Sequence, residues 1–106
     1  MPKYLVMVSY TADGVKGVLK DGGTKRRQAA EAALKSVGGR LDSLYFAFGE
    51  EDVYAIVDAP DNASVAAASL ALAASGAVRT RTVVLLTPEE IDQAVKKSAS
   101  YTPPGR

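Results

Sequence analysis

Cysteine and histidine are both missing from this sequence. Without cysteine there is no disulfide frame, no thiolate nucleophile and no thiolate metal site. Without histidine there is no imidazole base, no Ser–His–Asp triad and no axial haem histidine. Carboxylate and backbone oxygens are the good metal ligands that remain, and they favour hard cations. No metal and no cofactor is assigned on these grounds. An excess of either charge is missing too: 13 basic and 12 acidic residues leave a net charge of +1. That balance gives no broad pull toward nucleic acid or anionic lipid, and no basic stripe with interleaved aromatics is present. Neither nucleic acid nor a membrane is an expected partner. Long apolar runs are also lacking. Met1-Pro2-Lys3-Tyr4 leads into a short one that breaks at Ser9. It is too short to span a bilayer and carries no signal-peptide cleavage pattern, so the expected location is cytoplasmic.

What is present suits one globular domain covering residues 1–106, with 98–106 as an extended tail. Apolar residues make up 47% and charged residues 24% of the chain. A chain of this length buries roughly 65% of its unfolded surface, enough for one core. Tyr4 to Tyr10 reads as a strand. A short helical segment from Val15 ends at Gly22-Gly23. Thr24 can cap a second helix whose stripe is Ala29, Ala30, Ala33, Leu34 and Val37, and which stops at Gly38-Gly39. Arg40–Phe48 and Val53–Asp58 read as strands joined by the turn Gly49-Glu50-Glu51-Asp52. Asp61 or Asn62 caps a helix over 63–75, and Arg79–Leu86 is the fourth strand. Thr87-Pro88-Glu89-Glu90 has the pattern of a capping box before a last helix with Ile91, Ala94 and Val95 on its apolar face.

The order is β-α-β-β-α-β plus one helix. This predicts an α+β, ferredoxin-like domain: a four-stranded antiparallel sheet with two helices on one face. The second face stays open, yet the strands are apolar on both sides. Leu5 and Met7 alternate with Val6 and Val8, and Ile56 alternates with Val57. A sheet wetted on one side alternates more cleanly, so a cover is expected, and a second copy of the chain is the simplest one. The helix over 63–75 has no charged residue. Either it is buried on more than one side, with a further subunit contact, or its alanines simply favour helix.

Phe48-Gly49-Glu50-Glu51-Asp52 followed by Val53–Asn62 resembles the GYD-domain family, as do Gly38-Gly39, Tyr45, Gly76–Arg79 and the tail from Tyr101 to Gly105. The family is similar to the dimeric α+β barrel group of ferredoxin-like proteins, so the resemblance implies a barrel-type homodimer. The motif departs at its middle letter, where Glu51 replaces the tyrosine. Related barrel groups include isomerases, monooxygenases, haem-handling enzymes and ligand-binding regulators, so fold alone does not choose an activity.

Three clusters of residues can carry chemistry. Glu50, Glu51 and Asp52 are either a hard-cation site or raised-pKa acid, or a solvated turn in which Asp52 bonds nearby amides. Lys25, Arg26 and Arg27 sit at a helix start after two glycines. They form either an anion seat or a solvated patch paired with Asp21 or Glu31. Tyr45, Tyr54, Asp58, Arg79 and Arg81 lie on strands, where period two puts Tyr54 with Asp58 and Arg79 with Arg81. Facing a cleft on the open sheet, they supply a phenol, a carboxylate and guanidinium clamps, the groups needed to hold a small acid or phenol and move a proton. Otherwise they are strand-end ion pairs and aromatic packing. Ser9, Tyr10 and Thr11 can add hydroxyls.

Three functions fit these residues. The first is a homo-oligomer binding a small molecule through Tyr45, Arg79, Arg81 and the Lys25–Arg27 run. The second is an isomerase or cofactor-free monooxygenase that transfers protons through Asp58 and Tyr54. The third is an interaction module with no ligand.

Overall fold

The computed structural model describes all 106 residues. The elements follow in the order β1 (Lys3–Tyr10), α1 (Ala12–Lys35), β2 (Arg40–Phe46), β3 (Val53–Asp58), α2 (Asn62–Ala74), β4 (Val78–Leu85) and α3 (Pro88–Val95). The four strands form one sheet in the order β2-β3-β1-β4, with every neighbouring pair antiparallel. This is the ferredoxin-like arrangement that the element order predicts. A register shift between Leu41 and Ser43 marks an irregularity in β2.

Local chemistry sets the boundaries. The Thr11 side chain accepts a hydrogen bond from the Gly14 amide and starts α1. Gly14 itself packs so closely on the residue before β4 that a Cβ there would collide with the Ala77 carbonyl. Gly22, at φ 78° and ψ 176°, leaves helical geometry and divides α1 into two segments. The expected break at Gly22-Gly23 therefore exists, as a kink within one element. Asp61 caps α2, and Thr87 with Glu90 completes the capping box of α3.

The core lies between the sheet and the first two helices. Tyr4, Ala55, Val57 and Ala59 pack with Leu34 of α1 and Val65 of α2, and Val6, Leu41 and Leu44 pack around them. Tyr4 is the largest fully buried side chain. Its hydroxyl donates to Asn62 Oδ1 at 2.6 Å, the partner that a buried phenol requires. The uncharged helix α2 buries only Val65 and Ala68 and leaves Leu70 exposed. A single chain thus covers one side of this helix, not several.

α3 extends away from this body. None of its residues is buried, and Ile91 and Val95 are exposed. The radius of gyration is 16.9 Å and the longest extent 57 Å. A compact domain of this length has a radius of about 13 Å, so the C-terminal segment behaves as an arm.

Candidate functional site

Alternation along the strands turns one set of residues away from the helices. Cross-strand pairing orders them in rows. Tyr45, Tyr54, Met7 and Arg81 form one row, Ser43, Ile56, Leu5 and Val83 the next, and Arg40, Asp58, Lys3 and Leu85 the third. Arg79 faces Ser9 beyond the first row. The structure therefore gathers Tyr45, Tyr54, Asp58, Arg79 and Arg81 on the helix-free face. Tyr45 and Tyr54 are directly opposite one another, and Asp58 is separated from Tyr54 by Ile56.

Asp58 is a buried carboxylate with both oxygens engaged. Lys3 Nζ donates to Oδ1 at 2.9 Å and Arg40 Nη2 to Oδ2 at 2.7 Å. Lys3 also reaches Asp42 at 3.3 Å. The hydrogen bond from Lys3, then that from Arg40, holds the Asp58 carboxyl below the usual aspartate value, although burial opposes them. The Lys3 and Arg40 groups are raised in turn, each chiefly by its bond to Asp58. Such a carboxylate is a strong anchor and a weak proton acceptor. Lys3 and Arg40 were not singled out from sequence. Their signal is positional: each sits opposite Asp58, which is readable only once the strand register is known.

The other end of the face is closed by a residue of the turn between β2 and β3. Glu51 is buried, with 6% of its surface exposed. Ser9 Oγ donates to Glu51 Oε2 at 2.7 Å, and Arg81 Nη2 forms an ion pair with Oε1 at 2.7 Å. Arg81 also lies 3.8 Å from Met7 Sδ. One of the two expected guanidinium clamps is thus already bound to a carboxylate of its own chain. Arg79 has no ion partner and is exposed. Asp52 does different work: its side chain accepts from the Tyr10 amide at 2.8 Å, and its own amide donates to the Val8 carbonyl at 2.8 Å. It ties the turn to β1. No group of three acidic side chains is placed to hold a metal ion.

Lys25, Arg26 and Arg27 diverge, as successive helical positions about 100° apart must. Lys25 is exposed, Arg27 pairs with Glu31 at 3.8 Å, and Arg26 turns half-buried toward the space between the helices and the sheet. That space is a cavity of about 440 Å³, on the opposite side of the sheet from the strand cluster. None of Tyr54, Asp58, Arg79 and Arg81 lines it. Tyr45 lines a separate surface depression with Arg27, Glu31 and Asp42.

A protein of Thermus thermophilus named "Glutamine synthetase and cystathionine beta-lyase binding protein" is 31% identical over 83 residues, which is 78% of this chain and 86% of that relative. No solved structure matches the chain. The sequence model of the GYD domain matches residues 4–95, a span that takes in all but the first residue of the sheet and every helix described above, and the chain belongs to the GYD-domain family.

Proposed function

We propose that this protein is a homo-oligomeric binding module in which two copies pack their helix-free sheet faces together and the assembly engages protein partners. The observation that carries this reading is the make-up of that face. Leu5, Ile56, Val83 and Met7 form an aliphatic centre, and buried carboxylates at Glu51 and Asp58 seal its two ends with their own cations. An aliphatic surface whose buried carboxylates are already paired is suited to another protein surface rather than to water.

The arm supports the same reading. Four strands at about 4.8 Å spacing and six residues at about 3.3 Å give a face of roughly 400 Å². A stable pair of proteins commonly buries about 800 Å² on each side. The exposed apolar residues Ile91, Val95 and Tyr101 of the arm supply further area when they lie on the second copy. The name of the Thermus relative supports the second half of the proposal, and glutamine synthetase and cystathionine β-lyase are the first partners to test.

A small molecule in the cleft between paired sheets is the second reading. The row Tyr45–Tyr54–Met7–Arg81 and the unpaired Arg79 favour it, because they place phenols and a free guanidinium on the surface to be covered. The catalytic reading draws less support, since Asp58 is held ionised between two cations.

Sedimentation equilibrium of the purified chain at micromolar concentration tests the assembly, with twice the chain mass or a higher multiple expected. A monomer at these concentrations overturns it. Retention of purified glutamine synthetase or cystathionine β-lyase on the immobilised assembly is the expected partner result. Failure of both removes that half of the proposal.

A further inference from the structure

We propose that the cavity between α1, α2 and the helix-covered face of the sheet binds a small apolar monocarboxylate, with the Arg26 guanidinium taking the carboxylate. This site lies across the sheet from the face assigned to a second copy, so the two readings stand or fall separately.

The cavity follows from the sequence of the helices. Ala29, Ala30 and Ala33 of α1 face Ala71 and Leu72 of α2 across it. These small side chains line its walls and leave the space between them unfilled. The space is open at its rim, where Asp13, Ala29, Phe46, Ala71 and Ser75 are exposed. About 440 Å³ is within the range of small-molecule pockets, roughly 300–1,000 Å³. It continues into a narrower, almost wholly apolar pocket of about 70 Å³ beneath Val6, Ala55 and Val65. A Cβ built at Gly17 meets no atom within 4 Å.

The polar groups are few and specific. Arg26 lines the cavity, is half-buried and makes no salt bridge. Tyr10 lines it as well, and no hydrogen bond engages its hydroxyl. Burial raises the Tyr10 phenol above its ordinary value, while the nearby charge of Arg26 pulls it partly back and that of Asp52 adds to the rise. The phenol therefore stays protonated at neutral pH and serves as a donor. Asp13 is the one carboxylate in the lining; it is exposed and unpaired with Arg26. One cation and one neutral donor above an aliphatic chamber match a single carboxylate on an apolar body. A phosphate would call for more donors than these two.

Isothermal titration of the full chain with decanoate and with decanol tests the site. Decanoate is expected to bind, and decanol about tenfold more weakly or less, the value of one charge-assisted bond. Arg26→Gln is expected to bring decanoate down to the level of decanol. Gly17→Leu and Ala71→Phe, which fill the chamber from opposite helices, are each expected to weaken decanoate at least ~tenfold with the far-ultraviolet circular dichroism unchanged. Amide NMR of the unmodified chain needs no variant: decanoate should shift Gly14, Gly17 and Ala71. No decanoate binding, wild-type binding by a folded filling variant, or shifts confined to Leu5, Ile56 and Val83 overturns the site. Unchanged decanoate affinity in Arg26→Gln overturns the role of the guanidinium.

Discussion

On the helix-covered side of the sheet, Tyr4, Ala55 and Val57 meet Leu34 and Val65. One residue along the same strands, Leu5, Ile56 and Val83 turn to the side that no helix covers. Both centres are aliphatic, but their polar groups are handled differently. The covered side buries one neutral hydroxyl and satisfies it with Asn62. The open side buries two carboxylates, at opposite ends, and satisfies each with exposed cations. A core that folds with its own chain needs few ions, because desolvating them costs several kcal/mol each. A face that must stay unpaired with wrong partners gains from ions that fix where a matching face can sit. The comparison teaches that two faces of one sheet with similar apolar content can differ in where they hold their charges.

The most severe way to break the comparison is to put the same cation on each side. Ala55→Lys buries an unpaired charge among Tyr4, Val57 and Val65. Its cost of several kcal/mol approaches the whole stability of a small domain, about 5–15 kcal/mol, so the chain should unfold. Ile56→Lys, the next residue, should leave the circular dichroism native while the sedimenting mass falls to one chain. Should Ile56→Lys unfold the chain as well, the two sides would be equivalent parts of one core.

A milder test compares the polar groups. Tyr4→Phe removes the hydroxyl that Asn62 accepts from and should cost about 1–1.5 kcal/mol in urea unfolding. The ring stays, so the loss measures the hydrogen bond and not the packing. Acid separates the open side from it. Asp58 has a depressed value in the folded chain, first through Lys3 and then through Arg40. Its contribution is fully present above the unfolded aspartate value, near pH 4, and is lost as pH falls through the lower folded value. Stability should therefore drop below about pH 4 in the parent chain. Asp58→Asn should be less stable at neutral pH and should show a shallower acid decline, measured by thermal unfolding across that range.

The sequence carried most of the fold because its punctuation is local. Gly22, Asp61 and the Thr87–Glu90 box act within a few residues: Asp61 and the box each start a helix where expected, and Gly22 kinks α1 at the expected break. The site was legible to the extent that period two sorted Tyr54, Asp58, Arg79 and Arg81 onto one face. The partners of those residues were not. Lys3 and Arg40 are 55 and 18 positions from Asp58, and Glu51 is 30 from Arg81, so their meeting depends on strand register. The cavity was hidden for another reason. The alanines of α1 and α2 are good helix formers, and nothing in either helix alone says that its small side chains border an unfilled space.

The smallest effect on the single chain is expected in α3. An isolated helix of eight residues is marginal in water even with a good cap. Its capping box fixes where it begins but gives its apolar face nothing to rest on, since none of its residues is buried. Ile91→Ser should therefore change the unfolding free energy of the dissociated chain by no more than about 0.5 kcal/mol, as an ordinary surface substitution does. If the arm lies on a second copy, the same change removes buried apolar surface there, and dimer dissociation should become easier by roughly tenfold, the effect of about 1.4 kcal/mol. Dilution series of the parent and the variant, followed by sedimentation, separate the two quantities. Equal dissociation in both would return α3 to solvent and leave the sheet face to hold the copies alone.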